Sequence, residues 1–123
     1  MTYLMVFIGG GIGAALRHSV NRGSILLLGA SFPFGTFLVN VLGSFLMGVL
    51  AVALTARGED QPLRLFLTTG MLGGFTTFSA FSLDAVLLWQ KAEWPSLGAY
   101  VVGSVVLSVS ALFVGMIVAR SVG

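Results

Sequence analysis

The stretch Gly70-Met-Leu-Gly-Gly-Phe-Thr-Thr-Phe-Ser-Ala-Phe-Ser82 decides how this chain folds. It lies in an apolar run from 65 to 90 whose only charged residue is Asp84. Two adjacent glycines followed by two β-branched threonines are poor helix sequence. The pattern therefore predicts a membrane-spanning helix with a break near 73–77, where freed backbone groups must be buried in protein or must coordinate something.

On both sides of this run, charged residues are confined to short segments between apolar stretches. Hydrophobic residues make up 57% of the 123-residue chain and charged residues 8%, whereas an average soluble domain carries about a quarter charged residues. A bilayer core needs about 20 apolar residues in a helix. The spacing predicts a single all-α transmembrane domain, 1–123, with four spans near 2–21, 34–56, 63–90 and 97–120.

Composition excludes several kinds of site. There is no cysteine, and His18 is the only histidine, so neither a thiolate metal site nor a multi-histidine site can form within one chain. The six basic residues are spread along the chain and make no nucleic-acid patch.

The basic residues give no bias for orientation in the membrane. Four spans place both chain ends on one side, and the two sides carry three basic residues each: Arg57, Arg64 and Arg120 against Arg17, Arg22 and Lys91. The side richer in lysine and arginine is normally cytoplasmic. Two alternatives remain: another feature, such as span hydrophobicity, decides the orientation, or the chain inserts both ways and pairs antiparallel.

Glycine is frequent in the spans and predicts close helix contact, either within one subunit or at a dimer face. The glycines concerned are Gly9, Gly10, Gly11, Gly13, Gly43, Gly48, Gly103 and Gly115.

Uncharged hydrogen-bond donors recur every four residues on one face of two spans. They are Thr36, Asn40 and Ser44 in the second span, and Tyr100, Ser104 and Ser108 in the fourth. A lone serine usually bonds to its own helix, but an amide in mid-bilayer needs a partner. Phe78 and Phe81 share a face and offer ring edges of positive character, although such pairs are more often simple packing. Together these residues predict a polar path for an anion.

Three motifs resemble the Fluc/CrcB family of fluoride channels, and the resemblance covers nearly the whole chain. They are Gly9-Gly-Gly-Ile-Gly-Ala-x-x-Arg17, Gly35-Thr-x-x-x-Asn-x-x-Gly-Ser-x-x-x-Gly48 and Gly73-Gly-Phe-Thr-Thr-Phe-Ser-x-Phe81. The fourth span is similar only at Tyr100, Ser104 and Ser108. The chain departs from the family at Ala80, where threonine is frequent, so one hydroxyl near the pore is missing.

The resemblance implies a fluoride-specific channel, not an enzyme, that exports fluoride passively from the cytoplasm and lowers its toxicity. It implies an antiparallel, dual-topology homodimer in the lipid of the bacterial inner membrane. The implied pore residues are Asn40, Phe78, Ser79, Phe81, Tyr100, Ser104 and Ser108, with Arg17 in the vestibule. The backbone carbonyls of Gly73 and Thr76 from both subunits would bind one central sodium ion. Asp84 is expected to cap or pair rather than bind the anion.

Two other classes of function remain open. A small multidrug-type antiporter also has four helices, but proton-coupled export needs a membrane carboxylate, usually in the first helix, and this first span has none. A non-transporting structural subunit would have no use for the polar faces or for a broken third span.

Overall fold

The computed structural model describes residues 2–57 and 61–122, and every regular element in these ranges is a helix. The first two spans are α1 (Thr2–Leu28) and α2 (Phe34–Arg57). The third span begins as α3 (Gln61–Leu65), a π-helical segment (Phe66–Leu72) and α4 (Gly73–Phe75), and resumes as α5 (Ser79–Gln90). The fourth span is α6 (Trp94–Val122). All four spans are long and apolar enough to cross a bilayer, so the predicted all-α membrane fold is confirmed.

The first and fourth spans are longer than predicted. α1 does not end near 21 but continues to Leu28, because residues 25–28 are apolar and mostly good helix formers. Gly29 then stops it with a φ of +85°, which glycine adopts without a steric penalty. α6 begins at Trp94 rather than at 97, because Pro95 fits within the first turn of a helix.

The break in the third span is present, and it lies just after the two glycines. Gly73 and Gly74 remain helical, whereas Thr76 is extended, with φ −84° and ψ 162°. Helix resumes at Ser79. The π-helical segment that precedes the break was not predicted. Such segments are frequent at functional sites in helices.

Glycines let the helix backbones touch within the subunit. A Cβ atom at Gly13 of α1 would collide with the backbone oxygen of Met71 in the π-helical segment. Between α2 and α6, a Cβ at Gly48 would collide with the Leu112 oxygen, and Gly115 is equally close to the α2 backbone. These glycines therefore pack the subunit itself, which is the first of the two alternatives that the sequence left open for them.

We expect Gly13→Ala to destabilise the protein by about 1–3 kcal/mol, because the added methyl group meets backbone that cannot rotate away. Gly11→Ala is the matched control: it lies on the same helix, and a Cβ there meets nothing within 4 Å. The measurement is the thermal unfolding midpoint of each purified variant in detergent. Equal midpoints for Gly13→Ala and Gly11→Ala would contradict the packing described here.

Candidate functional site

A groove of about 500 Å³ runs beside the break in the third span. The polar faces of α2 and α6 meet there, and among the residues that the structure describes no charged one lines it. Its polar lining and the two rings beside it are Asn40, Ser44, Thr76, Thr77, Phe78, Phe81, Ser104 and Ser108. The two polar faces recognised in the sequence thus belong to one site.

The Asn40 side chain holds the broken backbone from across the groove. Its Nδ2 donates to the Thr77 carbonyl at 3.0 Å, and its Oδ1 accepts from the Thr77 N–H at 2.8 Å. The amide group has a second N–H, which remains available to another acceptor. Asn40 therefore links α2 to the break and still offers a donor. Its partner Thr77 was not among the site residues predicted from the sequence.

Several carbonyl oxygens lose their helical partners at the break, among them those of Gly73 and Thr76. In a continuous helix the Thr77 N–H would donate to the Gly73 carbonyl, but it donates to Asn40 instead. Likewise the Ala80 N–H donates to Thr77 Oγ1 at 3.1 Å rather than to the Thr76 carbonyl. A carbonyl freed at membrane depth must be buried in protein or must coordinate a ligand. Within residues 2–57 and 61–122, His, Cys, Asp and Glu side chains nowhere form a group of three or more that could hold a metal ion.

The serine hydroxyls on the α6 side of the groove lack partners. Ser104 Oγ and Ser108 Oγ are buried, and neither makes a hydrogen bond within the part of the chain that the structure describes. A buried polar group without a partner costs about 1–3 kcal/mol. Both residues line the groove, so their unpaired hydroxyls lie in its wall.

An aromatic series leads away from the groove. The rings of Phe78 and Phe81 lie 5.5 Å apart, and the next ring, Tyr100, lies 5.1 Å from Phe81. Phe78 is 77% exposed, whereas Tyr100 is fully buried. The Tyr100 hydroxyl donates to the Asp84 carboxylate at 3.0 Å. Asp84 is thus engaged by a neighbouring side chain.

Three of the predicted site residues do not line the groove. Tyr100 lies behind Phe81, as described above. Ser79 is exposed, and its hydroxyl pairs with Thr77 Oγ1 at 3.2 Å. Arg17 donates from Nε to the Gly74 carbonyl at 3.1 Å, so its guanidinium group ties α1 to the broken span.

Residues 4–116 match the family model described as CrcB-like protein, Camphor Resistance (CrcB). The chain belongs to this family. It is 54% identical over 121 residues to "Fluoride-specific ion channel FluC 2" of Nitrobacter hamburgensis, with 98% of each chain covered. It is 50% identical over 123 residues to "Fluoride-specific ion channel FluC" of Rhodopseudomonas palustris, with 99% of each covered. It is 53% identical over 117 residues to the FluC protein of Cereibacter sphaeroides, with 95% and 93% covered. The resemblance read from the motifs is confirmed, and this CrcB-like chain is a multi-pass membrane protein.

Proposed function

We propose that this CrcB-like protein is a channel, not an enzyme, that lets fluoride leave the cytoplasm passively and so lowers its toxicity. The observation that carries the proposal is the groove of neutral donors, in which the buried hydroxyls of Ser104 and Ser108 have no hydrogen-bond partner among the described residues. The names of the relatives, fluoride-specific ion channels, support the choice of ion.

The chemistry of the groove suits a small, strongly hydrated anion. Fluoride can shed water only where donors replace it, and these are the free N–H of Asn40, the two serine hydroxyls and the ring edges of Phe78 and Phe81. None of these groups is charged, so the ion is held weakly enough to leave. Flow then follows the gradient of fluoride, which builds up in a cell because HF enters and dissociates at neutral pH.

Three further residues act at the edges of this path. Tyr100 and Ser79 extend it beyond the groove on the α5 side, and Arg17 shapes its vestibule while anchoring α1 to the Gly74 carbonyl.

The functional unit that we propose is an antiparallel homodimer of two oppositely inserted copies. The groove is open on the side where the Phe78 ring is 77% exposed. A single chain therefore does not enclose the path on that side. A second copy packed on this side would complete the wall. The three-to-three balance of basic residues gives neither orientation an advantage, which supports insertion both ways.

One structural sodium ion fits the carbonyl oxygens at the break. Gly73 and Thr76 have lost their helical partners, and backbone carbonyls of broken membrane helices are suitable sodium ligands. In the proposed dimer both chains would contribute these oxygens. The ion would supply positive charge near the path without any charged side chain.

The proposed conduction is tested by the two phenylalanines. We expect Phe78→Ile and Phe81→Ile each to slow fluoride efflux from proteoliposomes by roughly tenfold or more, since loss of about 1.4 kcal/mol of stabilisation at the barrier already slows passage tenfold. Phe113→Ile is the control, because this exposed phenylalanine of α6 lies outside the groove. Normal efflux from a well-folded Phe78→Ile, Phe81→Ile double variant would refute the pore. Absence of fluoride efflux from the unmodified protein, with proton-coupled cation export instead, would favour an antiporter.

Dual topology can be measured directly because the chain has no cysteine. Single cysteines at Glu93 and Ser121 report opposite sides of the membrane and leave the basic residues unchanged. Both Glu93→Cys and Ser121→Cys should be labelled to about one half by a membrane-impermeant maleimide in intact cells, as equal populations of two orientations require. Nearly complete labelling at one position and none at the other would show a single orientation.

The sodium site depends on Asn40, because this side chain keeps the Thr77 N–H away from the Gly73 carbonyl. The thermal midpoint of the unmodified protein should fall when sodium is replaced by N-methylglucamine. Sodium at a hundredfold excess over its Kd stabilises by about 2.7 kcal/mol. In Asn40→Leu the N–H can return to the carbonyl, and we expect the sodium dependence to disappear. Ser79→Ala should retain it. Equal thermal midpoints of the unmodified protein in sodium and in N-methylglucamine would exclude the site.

A further inference from the structure

The turn between α5 and α6 brings two tryptophans into contact. Ala92 adopts a left-handed conformation with φ 57°, and its N–H donates to the Trp89 carbonyl at 3.0 Å, while the Glu93 N–H closes a wider turn onto Leu88 at 3.1 Å. This pair of bonds is a Schellman ending of α5. It places the rings of Trp89 and Trp94 perpendicular to each other, with centroids 4.9 Å apart. We call these two rings the tryptophan corner.

The tryptophan corner is directed outward and lies where two spans leave the membrane. Trp89 is 62% exposed and Trp94 is 52% exposed. Neither indole N–H has an acceptor within residues 2–57 and 61–122. Between the two rings the turn carries the charges of Lys91 and Glu93, which require water, whereas α5 and α6 are apolar. The corner therefore sits at a boundary between water and hydrocarbon.

We propose that the tryptophan corner binds phospholipid head groups. Indole has an apolar body and one polar N–H, and it is enriched at the level of membrane head groups. The two free N–H groups would donate to phosphate or ester oxygens of the lipid, and Lys91 beside them favours the anionic phosphate. A second protein copy on this surface would instead have to bury the charges of the turn, at a cost in free energy.

The corner has a mechanical role for α6. With 29 residues this helix is about 44 Å long at about 1.5 Å per residue, whereas the hydrocarbon core is about 30 Å thick. Apolarity alone leaves its depth loosely defined. Because one of the two rings belongs to Trp94, the first residue of α6, fixing the rings at the head groups would define the depth of Ser104 and Ser108. This inference does not depend on which ion uses the groove.

Intrinsic fluorescence tests the proposal, because Trp89 and Trp94 are the only tryptophans of the chain. The unmodified protein is reconstituted in phosphatidylcholine vesicles that carry bromine either near the head-group end or near the methyl end of the acyl chains. We expect shallow bromine to cause the larger loss of emission. Trp89→Phe and Trp94→Phe, with one reporter left in each, should show the same order.

A deep reporter serves as the matched control. Val106 is an exposed residue of α6, about 18 Å along the helix from Trp94, and Val106→Trp in a Trp89→Phe, Trp94→Phe background should show the opposite order. Two results would overturn the proposal for the unmodified protein. Loss of emission mainly to acrylamide in the water phase would place the corner in solvent. Emission that neither acrylamide nor either brominated lipid quenches would mean that protein covers the tryptophan corner.

Discussion

Two hydrogen bonds between the Asn40 side chain and the Thr77 backbone keep the third span open at membrane depth. Lipid offers no water to satisfy a broken helix, so a break there needs an internal replacement for the lost bonds. The amide supplies both a donor and an acceptor, which no other neutral side chain except glutamine can do in the same way. Everything else in the site follows from this clamp: the carbonyls set free, the direction in which α5 departs and the position of the rings that begin it.

Asn40 reaches the Thr77 backbone only because the surrounding helices are packed at fixed distances from one another. The contact between α1 and the π-helical segment, and that between α2 and α6, are made through glycines where a single methyl group would meet backbone. Such contacts depend on close van der Waals packing, because in lipid there is no hydrophobic driving force between helices. Arg17 adds one polar tie, from α1 to the Gly74 carbonyl. The groove is thus bounded by backbones that cannot drift apart or together by much.

The fold could be predicted from the sequence because charge and apolar length alone define spans in a membrane. The end of α1 was misplaced because Arg17 and Arg22 suggest a boundary, while a basic residue near a helix end can reach water or bind a carbonyl. The break was recognisable from its glycines and threonines. The residue that binds the broken backbone could not be recognised. The pattern of α2 shows that Asn40 needs an acceptor, but it does not show that Thr77, 37 residues away, supplies it. For the same reason the pairing of Tyr100 with another side chain could not be read from spacing.

The break has an electrostatic consequence beyond its loose carbonyls. Each helical half carries a macrodipole, equivalent to about half a positive charge at its N-terminus and half a negative charge at its C-terminus. The half that finishes with α4 (Gly73–Phe75) directs its negative pole into the middle of the membrane, and α5 (Ser79–Gln90) begins there with its positive pole. A cation and an anion can therefore both find a favourable potential within a few residues of each other. The chain creates this two-signed field from its peptide groups, at residues 75–79, where the sequence Phe-Thr-Thr-Phe-Ser carries no charged side chain.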